Sequence, residues 1–292
     1  MRINTLSELI NLAEKRNQKI SSIIKEQNAK EQGLSERQLF DKMEKIYQVM
    51  KQSAERGVFE QVHSMSGITG GEGYRLWLWQ ATKKGLSGSN VLKASARAMA
   101  VSNINASMGK IVAAPTAGSS GIIPGVIITV AEELKKRDEE AVDALFTAAA
   151  VGQIIAKNAT LAGAEGGCQA ECGSASAMAA AAAVELAGGS PRQVGHAVAF
   201  ALKAVMGMVC DPVAGLVEVP CVKRNAMGAV QAMLAADMAL AGIKSVIPPD
   251  EVIQAMGEVG RMIPEQLRET ALGGLANTPT GKDIKKRCLN NL

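Results

Sequence analysis

The side chains best equipped for chemistry in this sequence are its thiols. Cys168 lies in the run Gly166-Gly167-Cys168-Gln169-Ala170-Glu171-Cys172-Gly173. Cys210 opens Cys210-Asp211-Pro212-Val213-Ala214-Gly215, and Cys221 follows Glu218-Val219-Pro220. All three fall in Gly- or Pro-containing stretches between predicted helices, not on an apolar helix face. Glycine allows close backbone approach, and open amides can hydrogen-bond to sulfur, a setting that suits thiolate ligands. Against this, free cysteine is among the most buried residue types, and a single one is more often packing than ligand. No C-x-x-C pair exists. Cys168 and Cys172 form C-x-x-x-C, with Ala175 where a radical-enzyme pattern needs a third thiol. Zinc held by cysteine together with His196 also fits the residue types. Spacing alone leaves the metal question open.

Other candidates surround the thiols in sequence. His63 is one of two histidines and opens a Ser/Gly-rich loop, His63–Gly71, where a catalytic base could be held. His196 lies mid-helix beside Gly195, Ala197 and Val198 and reads as a satisfied core histidine. The stretch Pro115-Thr116-Ala117-Gly118-Ser119-Ser120-Gly121 precedes a helix expected near Pro124. Its amides, including that of Gly121, and the Ser119 and Ser120 hydroxyls suit a substrate carboxylate. The same stretch equally fits an ordinary connection. Lys110 is a second catalytic candidate, able to pair with that carboxylate, though a lysine after glycine is commonly just solvated. Asn103 and Asn105 are polar on an Ala- and Met-rich helix, facing either a substrate or their own backbone.

These residues need a scaffold, and composition restricts it. In 292 residues the hydrophobic share is 47% but aromatics make up only 3%, and 29 residues are glycine. Small side chains favour close helix packing, and the shortage of aromatic and β-branched runs argues against a large sheet. Apolar periodicity predicts helices within 5–32, from Ser35 to about Met50, and over 89–106 and 126–157 with a break near 137. More follow over 175–187, 191–208, 223–242 and 250–260. Ser190-Pro191 is a strong helix start. The loops 115–125, 163–174 and 210–221 hold most of the chemistry. The expectation is one all-α catalytic domain, with a helical N-terminal region over 1–60 and a mobile polar tail over 277–292.

Several function classes are disfavoured. The formal charge is +4, and the densest basic run, Lys285-Lys286-Arg287, has no interleaved aromatics, which argues against nucleic acid. Residues 111–131 carry no charge, yet Pro115, Pro124 and three glycines there suit a buried loop better than a membrane span. The start shows no signal-peptide pattern, and five cysteines form an odd set, so a reducing cytoplasm is expected.

Three long stretches carry a family resemblance: Pro115-Thr-Ala-Gly-Ser-Ser-Gly-Ile-Ile-Pro-Gly, Cys168-Gln-Ala-Glu-Cys-Gly-Ser-Ala-Ser-Ala-Met, and Cys210-Asp-Pro-Val-Ala-Gly-Leu-Val-Glu-Val-Pro-Cys-Val-Lys-Arg-Asn-Ala. They resemble the α-part of bacterial iron–sulfur L-serine dehydratases, and the likeness runs from about His63 to the tail. The resemblance implies a [4Fe–4S] cluster on Cys168, Cys210 and Cys221, with the fourth iron open as a Lewis acid for the serine hydroxyl. Cys172 is then a nearby or packing thiol. Cys288 is either a tail thiol able to cap the open iron or a dispensable one. The family's second part, the β chain, carries a Ser-Ser-His-Thr-type motif that is absent here, so a separate β chain is the expected partner. A pyridoxal lyase on Lys110 would lack its strand scaffold. The rivals are a related lyase acting on cysteine or threonine, and a non-catalytic scaffold whose metal site is closed by Cys172 or Cys288.

Overall fold

A computed structural model of the chain describes residues 3–290, which form thirteen helices and no strand. Residues 1–2 and 291–292, the ends of the expected N-terminal region and tail, lie outside the described residues. The N-terminal helices are α1 (Leu6–Arg16), α2 (Ile20–Gln32) and α3 (Glu36–Phe59). The middle holds α4 (Glu72–Thr82), α5 (Ser89–Ala106), α6 (Ile122–Glu133), α7 (Asp138–Asn158) and the single turn α8 (Gly163–Gly166). Then come α9 (Ser174–Leu186), α10 (Pro191–Ala204), α11 (Cys221–Leu240), α12 (Pro249–Met262) and α13 (Pro279–Asn290). The all-α expectation is borne out. Among the described residues no helix is long and apolar enough to cross a membrane.

Local chemistry explains most boundaries. Thr5 with Glu8, Ser35 with Gln38 and Ser190 with Gln193 form reciprocal capping boxes at α1, α3 and α10. The expected break near 137 separates α6 from α7, where Lys135 adopts a left-handed conformation. Helix α6 starts at Ile122 and so takes up half of the uncharged segment read as a loop. Helix α4, which carries Tyr74, Trp77 and Trp79, lies outside the helices expected from periodicity. Helix α10 stops at Ala204 and frees the loop before Cys210. In the tail, Thr278 Oγ1 accepts from Gly281 N at 3.1 Å, and α13 packs on the turn Val213–Gly215 beside Cys210.

Helix α9 is the hub. Every residue of Ser-Ala-Ser-Ala-Met-Ala-Ala-Ala-Ala-Ala-Val-Glu-Leu is buried, and α6, α7, α10 and α11 surround it. A helix apolar on all sides has no solvent face to turn outward, which makes it a core helix. Its one acidic residue, Glu185, is satisfied by Thr147 Oγ1 at 2.8 Å and Ser21 N at 3.2 Å. Alanine lets neighbouring axes approach to the short end of the usual ~8–10 Å range.

Helix α5 crosses α3 and α4 even more tightly, at Ala100. A Cβ on Gly57 would lie 2.6 Å from the Ala100 carbonyl oxygen, and one on Gly73 would lie 2.5 Å from the Ala100 nitrogen. Backbone atoms cannot yield as a flexible side chain can. Gly73→Ala therefore gains about 1 kcal/mol of helix propensity but loses more to overpacking, for a net destabilisation of roughly 1–2 kcal/mol. Denaturant melts of Gly73→Ala against the parent check this, and an unchanged or raised midpoint would contradict the crossing.

Candidate active site

The N-terminal end of α9 is where the thiols gather. Cys168 follows Gly167, whose φ of 75° only glycine adopts readily, and the chain then makes a π-helical turn, Gln169–Gly173, into α9. Wide turns of this kind recur at functional sites. Gln169 is fully buried and bolts the turn in place. Its Nε2 donates to Met256 O at 3.1 Å, and its Oε1 accepts from Gly207 N at 2.8 Å. The Cys168 and Cys172 sulfurs end 3.4 Å apart.

Cys210 is held by pairing with a later segment: its N–H donates to Leu267 O at 2.8 Å, and its carbonyl accepts from Glu269 N at 2.7 Å. The next residue, Asp211, accepts from Leu275 N at 2.8 Å and pairs with Arg224 at 2.9 Å. Cys221 is the first residue of α11, so its sulfur sits at the positive end of a 20-residue helix. Arg224, one turn on, donates to Val209 O at 2.9 Å and reaches Cys168 as well as Asp211. The sequence reading passed over this arginine, which links the three thiol-bearing segments.

The Ser/Gly loop closes the other side. Asn225 is fully buried: its Nδ2 donates to Gly118 O at 2.7 Å and Cys221 O at 2.9 Å, and its Oδ1 accepts from Gly121 N at 2.9 Å. One amide thus ties the loop to the cysteine helix. Thr116 Oγ1 donates to Glu171 Oε1 at 2.7 Å and lies 3.1 Å from Ser119 Oγ. Glu171 Oε2 lies 3.8 Å from the Cys210 sulfur, so a carboxylate occupies the space between loop and thiols.

Electrostatics here is dominated by burial. It raises the Glu171 carboxyl above the usual carboxylate range, against the hydrogen bond from Thr116. Burial pushes the Cys221 thiol up to about 12 and the Cys210 thiol higher still, with Cys168 and Glu171 adding repulsion. Cys168 moves the other way, because the hydrogen bond shared with Cys172 and the nearby Arg224 favour its thiolate, at the expense of Cys172. Among the described residues no three His, Cys, Asp or Glu side chains close on a single metal ion.

The expected site residues divide. Cys168, Cys210 and Cys221 come together with Ser119. Ser120 donates to Ala117 O at 2.8 Å, and Gly121 is spent on Asn225, so both shape the loop. A Cβ on Gly121 would lie 2.0 Å from the Ala98 carbonyl oxygen, which leaves room only for glycine. Asn103 is buried and clamps α4: it donates to Glu72 Oε2 at 2.8 Å and accepts from Gly73 N at 3.2 Å. His63 and Lys110 are exposed, and neither side chain makes a hydrogen bond among the described residues. The His63 loop is anchored by buried Glu218, which accepts from Ser66 Oγ and Thr69 Oγ1, both at 2.7 Å. His196 accepts from Ser245 N at 3.2 Å, as a satisfied histidine should.

The sequence family model for the serine dehydratase alpha chain matches residues 15–276. The chain belongs to the serine dehydratase alpha chain family. It is 49% identical over 282 residues to the probable L-serine dehydratase alpha chain of Bacillus subtilis, covering 97% of this chain and 94% of that one. To the L-serine dehydratase alpha chain of Peptoniphilus asaccharolyticus it is 44% identical over 284 residues, covering 97% of each. The L-serine dehydratase of Streptomyces coelicolor is longer: 46% identity over 181 residues covers 61% of this chain but only 40% of that protein. Within the family, then, alpha-type sequence stands both as a chain of its own and as part of a longer one.

The Asn225 tie gives a test independent of turnover. Asn225→Ala leaves the Gly121 amide and two carbonyls buried without their partner and should cost roughly 2–4 kcal/mol. Chemical denaturation reads the loss, and a change below about 0.5 kcal/mol would mean the tie contributes little beyond an ordinary surface contact.

Proposed function

We propose that this chain is the catalytic subunit of an L-serine dehydratase, eliminating water from L-serine to give pyruvate and ammonia. The observation that carries the reading is the meeting of Cys168, Cys210 and Cys221, from three separate segments, around Glu171 and Arg224 in a member of this family. The donor set fits a [4Fe–4S] cluster. Two buried thiols and the half-buried Cys221 do not close on one ion, and Cys210 and Cys221 hold their protons unless strong positive charge is brought to them, as a metal core would bring it. The same spread counts against a zinc scaffold, which needs four close ligands. When bound, the cluster supplies an open iron that assists departure of the β-hydroxyl as a Lewis acid.

The chain's own residues do the remainder. Ser119 presents its hydroxyl to the substrate carboxylate, Thr116 holds Glu171, and Ser120, Gly121 and Asn225 keep that turn rigid. Glu171 faces the same space, and burial brings its carboxyl closer to neutral pH than an exposed one, as a base for the Cα proton requires. Proton and hydroxide leave adjacent carbons, and the aminoacrylate tautomerises and hydrolyses to pyruvate and ammonia. His63 and Lys110, both exposed, become useful only once a second chain covers them. A separate β chain is therefore the partner, and the longer relatives, whose length exceeds their alpha-type region, support this.

Anaerobic reconstitution with iron and sulfide, followed by spectroscopy with serine titrated in, tests the centre. A four-iron signal perturbed by serine is expected, and its absence, or indifference to serine, overturns the reading. Glu171→Gln should lower kcat by about 10²–10⁴-fold while the cluster signal persists. Loss of the signal in that variant would assign Glu171 to the scaffold instead. Alpha chain with intact cluster turning over serine at full rate alone would remove the partner.

A further inference from the structure

A cavity of about 300 Å³ opens between α3, α5, α6 and Trp77 of α4. That is at the small end of the range for ligand pockets. It is lined by none of the residues that gather around the thiols. Its floor is cationic. The Arg97 guanidinium is only 8% exposed, donates to Thr129 Oγ1 at 2.8 Å and lies over the Trp77 ring at 4.9 Å. Beside it is Tyr47, 2% exposed, whose hydroxyl has no hydrogen-bond partner among the described residues. Burial and the nearby Asp138 and Glu132 carboxylates keep that phenol protonated, so it stands as a donor.

The rim carries the opposite sign. Glu132, paired with Arg97, is 51% exposed, and Asp138, paired with Lys51 at 2.9 Å, is also solvent-facing. One wall is apolar, formed by Trp77 with Phe59 edge-on at 6.1 Å. Cations and a phenol deep, carboxylates at the mouth and an aromatic wall together describe the complement of a particular ligand. A bare anion would have to compete with Glu132 and Asp138 for the cations. A zwitterion brings its own cation to those acids and leaves the charge balanced.

We propose that this cavity binds a small apolar α-amino acid, its carboxylate on Arg97 and the Tyr47 hydroxyl, its ammonium on Glu132 and Asp138, and its side chain against Trp77. The site stands apart from the proposed dehydratase reaction, and its test needs no turnover.

The full chain carrying Trp79→Phe leaves Trp77 as the sole indole, since the sequence has two tryptophans. L-Leucine is titrated while Trp77 emission is followed, beside 4-methylpentanoate, which lacks the ammonium, and 3-methylbutylamine, which lacks the carboxylate. A saturable response to leucine is expected, with both analogues at least roughly tenfold weaker. Tyr47→Phe, which removes one oxygen from a packed ring, should weaken leucine by roughly tenfold, the worth of a hydrogen bond to a charged group. Arg97→Lys, which cannot keep the fork geometry, should do the same. No saturable response overturns the proposal, as does an analogue that binds as well as leucine. Leucine affinity unchanged in both variants, each folded by circular dichroism, places the ligand elsewhere and overturns it too.

Discussion

Burial of α9 on every side is the constraint from which the rest follows. A helix with no solvent face must bring its N-terminal turn into the protein as well, and that turn carries Cys168, Glu171 and Cys172. Polar and nucleophilic groups so placed need partners, because an unmet buried donor or acceptor costs about 1–3 kcal/mol. The loops around them supply those partners. Gln169 is answered by Gly207 in the loop after α10 and by Met256 within α12, Glu171 by Thr116, and Cys168 by Arg224. The active-site loops are ordered largely because the core helix requires them to be.

The arrangement separates holding from reacting. Asn225, Gln169, Glu218 and Asp211 each accept or donate to loop backbone or loop hydroxyls and are themselves deeply buried. They fix where the sulfurs point without touching the space between them. The groups that border that space, Glu171, Ser119 and the thiols, are left with chemistry to spare. An enzyme that must place a proton acceptor and a leaving group on adjacent carbons gains from this rigidity, because misplacement by an ångström is costly in rate.

Much of the scaffold was legible in the sequence because its signals are local. Capping at Ser35 and Ser190, the periodicity of 89–106 and the break near 137 depend on neighbours within a few residues, and each falls where expected. Helix α4 escaped because its start at Gly71 carries no side-chain cap, and its closest packing contact is a glycine, Gly73, set on the distant Ala100. The thiols stood out by type and setting, but their joining did not. Asn103 reads the same on paper whether it faces a substrate or clamps α4, and only the distant Glu72 decides. Arg224, Asn225 and Glu171 were visible as polar residues in the quoted motifs. Their partners lie in other segments, so no spacing rule within one segment could have singled them out.

Helices α4 and α5 both contribute to the Arg97 cavity, and α4 is also tied to the cysteine helix α11. At its N-terminus α4 is pinned: Glu72 accepts from Gly70 N and Asn103 Nδ2, both at 2.8 Å, and from Lys223, two residues past Cys221, at 2.7 Å. Towards its other end, Trp77 meets Arg97 and Phe59, and Leu78, Trp79 and the following Leu86 face solvent. The Gly73 contact at Ala100 fixes α4 against α5, since neither helix can slide past backbone atoms already at their closest approach.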